Sequence, residues 1–464
     1  MINTQDTIAA IATPIGRGAI GIIRISGDLA LPVLKQIFKS KTNKKEFVSH
    51  RLYYGEIFDP NTKEVIDEVL CVYMKAPHTY TCEDVVEIYA HGSPFILRKI
   101  LEVVFSLGVR PAKPGEFTYR AFLNGRIDLA QAEAINELIS SQNEYALKSA
   151  LKTLKGELSK KIESLRNQLL EILAHLESKI EFPEEDIETK DYKEIERIIK
   201  NNLLPTIESL INAYDQGKIF REGIFLVLAG KPNVGKSSLM NVLLNEERAI
   251  VSPVPGTTRD FLEEEVLIEG IPVRLIDTAG IRPTEDLIEK LGLEKTKKKL
   301  ESADLIIWLI DISHPPQEED KKIFEEISQK PNFLTVFNKI DLQPNFIEEW
   351  VNFIKELGIE EWVEISVKEQ TNLDELKKKI VDKIFKIQPK EVPEVIPNLR
   401  QKVSLEKAKE SLNSVLNLLN SINPLPEIIV LELKEALTHL EEIIGKITSE
   451  DVLEQIFSTF CIGK

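Results

Sequence analysis

From Leu151 to Ile180, apolar residues fall at Leu151, Leu154, Leu158, Ile162, Leu165, Leu169, Ile172, Leu176 and Ile180, always three or four apart. That period is one face of a helix and predicts one continuous helical stripe, packed as a bundle or coiled coil. Pro183 should end it, inside an acidic run from Glu181 to Asp186 that reads as solvated surface. A second helix is expected from Lys193 to Gln216. The stripe returns at Leu412, Leu416, Leu419, Leu433, Leu437, Leu440, Ile444 and Ile447, within a helical stretch from Leu405 to Phe460.

The first 120 residues have a different grain. Thr7 to Ala12, Ala19 to Ile25, Val69 to Met74 and Val85 to Tyr89 read as strands, and Phe95 to Leu107 as a helix ended by Gly108. Residues 217–384 alternate apolar strand runs with helices, the signature of a parallel sheet. The expected organisation is therefore multidomain α/β. It has an α+β domain over 1–120, helices over 121–216, an α/β domain over 217–384 and further helices over 385–464. Glu391 to Pro397, with two prolines, reads as a linker. Helices on both sides of 217–384 suggest one helical domain interrupted by an inserted α/β domain, since insertions are tolerated where domain termini lie close together.

The clearest chemistry sits at the start of that α/β stretch. An apolar run, Ile224 to Ala229, precedes Gly230-Lys231-Pro232-Asn233-Val234-Gly235-Lys236-Ser237, and Ser238 to Leu244 reads as a helix start. Strand, glycine-rich turn and helix is the context of a phosphate-binding P-loop. Backbone N–H groups of such a turn curl around phosphate oxygens, and the helix N-terminus adds its positive end. Lys236 would reach the outer phosphates and act in catalysis, and Ser237 would hold Mg²⁺.

Three more polar motifs follow strand-like runs. Asp277-Thr278-Ala279-Gly280 follows Val273 to Ile276, with Asp277 suited to a Mg²⁺-bound water and Gly280 to the γ-phosphate. Asn338-Lys339-Ile340-Asp341 follows Phe333 to Phe337, and a carboxylate there accepts two N–H donors that guanine offers and adenine lacks. Ser366-Val367-Lys368 follows Trp362 to Ile365 and would add main-chain contacts. Ligands of open α/β sheets bind at the carboxyl ends of strands, so these motifs are expected to share one crevice. Gly256-Thr257-Thr258-Arg259-Asp260 lies where a switch loop belongs, and Thr258 would complete the Mg²⁺ shell. Any one motif alone is as easily a loop or a helix cap; the ordered set is not.

Composition narrows the setting. Charged residues make up 29% and hydrophobic ones 43%, the balance of a soluble globular protein. No apolar run approaches a membrane span, no secretory signal opens the chain, and Cys71, Cys82 and Cys461 form no C-x-x-C pair. A cytoplasmic protein without a membrane is expected. The net charge of −16 argues against nucleic-acid binding through a general field. Residues 1–120 nevertheless carry +2, so any RNA contact should be local or shared with a more basic partner.

The ordered motifs resemble those of translation-factor-class GTPases. Pro114-Gly115-Glu116-Phe117-Thr118-Tyr119-Arg120-Ala121-Phe122-Leu123-Asn124-Gly125-Arg126-Ile127-Asp128-Leu129-Ala130-Gln131-Ala132-Glu133-Ala134 and the closing Phe460-Cys461-Ile462-Gly463-Lys464 narrow this further. Together they make the whole chain resemble the bacterial and organellar tRNA-modification GTPase family MnmE (TrmE). The resemblance implies a Ras-like GTPase domain inserted in a helical domain, and an N-terminal domain with a fold like tetrahydrofolate-binding aminomethyltransferase domains. It implies a homodimer that works with a flavoprotein, MnmG (GidA), as a heterotetramer. Their joint reaction would place a carboxymethylaminomethyl or aminomethyl group on C5 of the wobble uridine of certain tRNAs. The one-carbon donor would be 5-formyl- or methylene-tetrahydrofolate, and FAD and NADH would belong to the partner.

Site residues follow from the same resemblance. Ras-type enzymes orient water with a Gln after the Asp-x-x-Gly motif; here that position is Ile281. The family's answer is a K⁺ ion, which would be held by Asn233, Ser252, Val254 and Thr257 when two GTPase domains meet, with Glu289 positioning water. Sequence alone reads Glu289 as an exposed helix charge. Folate would meet Arg24, Glu87, Arg126 (where the family typically carries Lys) and Lys464; sequence alone reads Arg24 and Arg126 as surface ion pairs. Cys461 stays open between a chemically important thiol and a small apolar residue capping the bundle. Two rival functions also stay open: a regulatory RNA- or ribosome-associated GTPase switch, and a folate-dependent one-carbon transferase regulated by GTP.

Overall fold

The computed structural model describes residues 6–41, 46–141, 143–181, 192–246, 263–277, 303–328, 332–342, 346–384, 393–422 and 424–464. The chain divides into two compact units. One comprises 1–139, 150–210 and 397–464; the other comprises 140–149 and 211–396.

The first unit opens with strands β1 (Ile8–Ile11), β2 (Ile20–Ser26), β3 (Phe38–Ser40), β4 (Arg51–Phe58), β5 (Val65–Met74), β6 (Val85–His91) and β7 (Arg110–Pro111). Among the described residues they form a seven-stranded sheet in the order β3-β4-β5-β6-β2-β1-β7, antiparallel except for the parallel β1–β7 pair. Alternation along each strand sorts the side chains between two faces. Ile23, Ile25, Ile57 and Ile88 are fully buried in the core that also holds Leu34, Ile37, Leu97 and Ile100, from the helices Ala30–Ile37 and Pro94–Ser106. The opposite face carries Arg24, Glu87 and Tyr89, with Arg24 registered on Glu87 and Ile22 on Tyr89.

The rest of this unit is helical, and two of its helices continue along the chain into residues 140–149 and 211–222, which belong to the second unit. The spacing from Leu151 to Ile180 predicts one helix, but the structure has two, Glu144–Leu154 and Glu157–Glu181, divided at Lys155-Gly156. Leu151 lies before the break and is 38% exposed, whereas Leu158, Ile162, Leu165, Leu169, Ile172 and Leu176 are buried. The Leu154-to-Leu158 spacing of four hides the turn, because an i,i+4 step looks the same whether or not the helix continues. The next helical stretch, expected over Lys193 to Gln216, runs as Tyr192–Ile198, a π-helical turn Ile199–Leu203 and Leu204–Glu222. Glu157–Glu181 packs on Pro426–Ile444, which packs in turn on Leu399–Leu419. Ile447 departs from its expected stripe: it follows the end of its helix and is 49% exposed. Pro183 and most of the acidic run lie outside the described residues.

The second unit holds β8 (Ile224–Ala229), β9 (Glu263–Ile268), β10 (Ile271–Asp277), β11 (Leu305–Asp311), β12 (Phe333–Asn338) and β13 (Trp362–Glu364). The described strands form a six-stranded sheet ordered β13-β12-β11-β8-β10-β9, parallel apart from β9. Buried residues line both of its faces, with Leu226, Leu228, Leu239 and Leu376 on one and Trp308, Phe337 and Trp350 on the other. A sheet covered on both faces uses continuous apolar strands, which is why Leu305–Asp311 reads Leu-Ile-Ile-Trp-Leu-Ile-Asp.

Candidate functional sites

At the carboxyl end of β8 the chain turns through Gly230 to Gly235 into the helix Lys236–Glu246. The turn needs glycine at Gly230, where φ is +143° and a Cβ would lie 2.3 Å from the Leu309 carbonyl. Asn233 also takes a left-handed φ of +64°. The loop closes on its own lysine: buried Lys236 donates from Nζ to the carbonyls of Gly230 and Lys231, both at 2.7 Å. An ammonium held inside a curled backbone loop at a helix N-terminus fits a polyphosphate. Ser237 stands exposed at the start of the same helix, where a hydroxyl can serve as an oxygen ligand for Mg²⁺.

The motifs expected to read the base meet this loop through Asn338, which is 2% exposed. Its Nδ2 donates to the Val234 carbonyl at 2.8 Å, and its Oδ1 accepts from the Val367 N–H at 3.1 Å. One side chain thus ties three motifs together. Ser366 Oγ donates to Asp341 Oδ1 at 2.7 Å and accepts from the Glu369 N–H at 3.1 Å. Lys339, in a left-handed conformation, donates to Asp311 Oδ2 at 2.6 Å. Burial alone would push the Asp311 carboxyl up; the bonds from Lys339 and Ser313 outweigh it and hold the group below the ordinary aspartate range. Asn233, Gly235, Ser238, Asn338, Lys339, Asp341, Val367 and Lys368 line one cleft of about 460 Å³. Asp277 ends β10 opposite Leu228 of β8. Its side chain, and all of Ser252, Val254, Gly256, Thr257, Thr258, Thr278, Ala279, Gly280, Ile281 and Glu289, lie outside the described residues.

A second cluster forms in the first unit. Arg24 donates from Nε to Glu87 at 2.8 Å and from Nη1 to the Gly463 carbonyl at 3.2 Å. Its guanidinium lies 5.6 Å from the ring centres of both Tyr80 and Phe117. Arg126 stacks on Tyr80 at 5.4 Å and donates to the Thr79 carbonyl. The final residues are docked here: the Phe117 N–H donates to the Lys464 carbonyl at 3.2 Å and that of Gly115 to Cys461 at 3.5 Å. Gly463 has φ +96°, and a Cβ there would sit 2.3 Å from the Ile11 carbonyl. Burial first, then the charge of Arg24, holds the Lys464 ammonium below the ordinary lysine value. The Cys461 side chain is exposed. Cations, a carboxylate and two aromatic rings in one place suit a planar heterocycle that carries acid groups.

The structure thus brings Glu87 and Lys464 to Arg24, and Arg24 and Arg126 to the Tyr80 ring. Tyr80 and Asp311 escaped the sequence reading, since neither belongs to a motif, and Phe117, although it stands in the Pro114–Ala134 motif, was given no role there. The one signal for Asp311 was its place at the end of an apolar strand run.

Comparison with known proteins bears on what these two sites serve. Residues 129–461 match the model of the MnmE helical domain, and residues 7–126 that of the GTP-binding protein TrmE N-terminus. A tRNA modification GTPase MnmE from Natranaerobius thermophilus is 45% identical, over 99% of this chain and 100% of its own. One from Aquifex aeolicus is 47% identical over the same shares. The chain belongs to the MnmE family of tRNA modification GTPases. MnmE membership makes it a GTP hydrolase that acts in tRNA modification, and implies GTP and Mg²⁺. Among the described residues, no helix is long and apolar enough to cross a membrane.

Proposed function

We propose that the protein is a K⁺-stimulated GTPase that acts on tRNA together with a flavoprotein partner, MnmG (GidA). The pair would modify C5 of the wobble uridine, with a tetrahydrofolate one-carbon donor on this chain and FAD and NADH on the partner. The observation that carries the folate part is the meeting of Arg24, Glu87, Lys464 and the Tyr80 and Phe117 rings. Glu87 can accept from pterin donors, and the cations can meet the glutamate carboxylates.

In the nucleotide cleft, Lys236 and Ser237 would serve phosphate and Mg²⁺, and Asp341 the base. Asn233 lines that cleft and can offer a side-chain oxygen to K⁺. Ser252, Val254 and Thr257 would complete the K⁺ site, Thr258 the Mg²⁺ shell, and Glu289 would position water. The organisation proposed is a folate-binding and dimerisation domain over 1–120, a helical domain over 121–216 and 385–464, and a GTPase domain over 217–384. A homodimer gains support from the open face of the seven-stranded sheet. Leu52, Tyr54 and Leu70 there are 57%, 44% and 42% exposed, and Tyr54 is registered on Leu70. An apolar stripe of that kind needs a cover.

Mass analysis of tRNA nucleosides from a deletion strain tests the reading. Loss of a C5-modified wobble uridine, restored by the gene, is the expected result. An unchanged nucleoside profile would refute it and favour a regulatory GTPase switch.

A further inference from the structure

The segment between β11 and the helix Glu318–Ile327 contains none of the nucleotide motifs, yet each end of it holds a lysine that belongs to one. At the β11 end, Asp311 Oδ2 accepts from Lys339 Nζ at 2.6 Å. Its Oδ1 accepts from the Ser313 N–H at 3.0 Å and the Ser313 hydroxyl at 2.6 Å. Nine residues on, Asp320 Oδ2 accepts from Lys231 Nζ at 2.6 Å and from the Gln317 N–H at 2.9 Å. Gln317 Oε1 takes a further bond from Lys231 at 3.1 Å. Between the two carboxylates, buried Trp350 pins the segment by donating from Nε1 to the His314 carbonyl at 2.7 Å.

Burial separates these contacts from ordinary surface ion pairs, which contribute little. The Asp320 side chain is 3% exposed and that of Lys231 18%; Asp311 is 12% exposed and Lys339 31%. Each carboxylate is also fixed by neighbours on its own segment, so neither can follow its lysine if the loop moves. The lysines sit where movement matters. Lys231 supplies one of the two carbonyls that receive Lys236, and Lys339 is the left-handed residue between Asn338 and Asp341. Anchoring Lys231 fixes the peptide that holds Lys236. Anchoring Lys339 holds a turn that a non-glycine residue adopts at a cost.

We propose that the Asp311–Asp320 segment is a brace that sets nucleotide affinity, fixing the phosphate loop through Asp320–Lys231 and the base-reading turn through Asp311–Lys339. Asp311 and Asp320 are positioning residues; neither belongs to the motifs that meet nucleotide. The proposal rests on the assignment of these two loops to GTP. With the brace intact, the loops are ordered before GTP arrives, and binding need not supply that order. A helix cap at Asp320 and a surface pair at Asp311 would instead register in thermal stability alone.

Binding of fluorescent GDP and GTP analogues to the full chain tests this, alongside hydrolysis at saturating GTP. Asp311→Asn, Asp320→Asn and Lys231→Gln should each weaken binding about tenfold, the scale of one charge-assisted bond. In the two aspartate variants turnover at saturation should stay within about twofold, because the brace acts on binding and not on the reacting atoms. Asp320→Asn and Lys231→Gln combined should be no worse than either alone, because both remove one contact. If Asp320→Asn does not fold, Lys231→Gln carries the same comparison from the exposed side of the pair. Lys339→Ala separates the brace from the site it serves. Weak binding in Lys339→Ala with normal binding in Asp311→Asn overturns the brace and leaves the base site standing. Normal binding in both removes the base-site assignment and the brace with it. A lowered melting temperature with unchanged affinity in the aspartate variants also overturns it.

Discussion

Arg24 and Glu87 face each other across paired antiparallel strands, and the bond between them runs beside the carbonyl of Gly463, 439 positions along the chain from Arg24. The tail is held by its backbone. Gly463→Ala should therefore dislodge it, since the new Cβ has no room against Ile11 and φ is left-handed. Folate affinity, measured by equilibrium dialysis, should fall about tenfold with the loss of the contact that Lys464 would make. Cys461→Ser should keep folate binding and lose tRNA modification if the thiol takes part in the chemistry. Undiminished folate affinity in Gly463→Ala would count against the tail's place in the site.

Base choice should follow Asp341. In Asp341→Asn the carboxylate that would receive guanine's donors becomes an amide, which suits xanthine. GTP should bind less well and xanthosine triphosphate better in a direct competition. Unaltered GTP preference would remove the assignment.

Cation dependence should follow Asn233. Hydrolysis should run faster in K⁺ than in Na⁺ at equal ionic strength, and Asn233→Ala should abolish the difference. Glu289→Ala should slow turnover by about a hundredfold with GTP affinity retained. Equal rates in the two salts would exclude a K⁺-filled catalytic site.

Acid should loosen the first unit through Asp6 and Glu116. Glu116 is fully buried and accepts from Arg110, Arg120 and the Lys113 N–H. Burial alone would raise its pKa, but these donors outweigh it and lower it; for Asp6 the bond from Arg110 leads. A lowered folded-state pKa gives stability that is whole above the ordinary values of 4.5 and 3.8, and lost as pH falls through the lower folded values. The melting temperature should drop below about pH 4.5. Glu116→Gln should flatten that slope and lower stability near pH 7 by about 3 kcal/mol, the scale of a broken buried pair. An unchanged acid slope would show that other groups control it.

The cleft that Asn233, Asn338, Asp341 and Lys368 line was legible as a candidate site because its motifs are contiguous. Each motif occupies a few neighbouring residues after an apolar run, and parallel strands deliver those runs to one edge. The tail site has no such signature. Arg24, Tyr80, Glu87, Phe117 and Lys464 are scattered, and strand register and tail docking alone unite them; the family resemblance pointed to Arg24, Glu87 and Lys464, and gave the rings no role. Strand Arg51–Phe58 escaped notice because Leu52 and Tyr54 put apolar groups on its exposed face and Gly55 interrupts its alternation. The helix Ala30–Ile37 carries Pro32 in its first turn, which reads as a breaker although proline is tolerated there.

The discontinuity of the first unit has a consequence for synthesis. Helix Glu157–Glu181 packs on Pro426–Ile444, which leaves the ribosome only after the whole intervening unit. At about 5–20 residues per second, its buried leucines wait roughly ten to fifty seconds for their cover. The α/β unit has time to fold in that interval. Once folded it draws Ile396 to Ser149, whose hydroxyl accepts the Ile396 N–H at 3.2 Å. The late helices are then delivered close to the early ones, and the entropy of closing so long a loop is met by the unit that fills it.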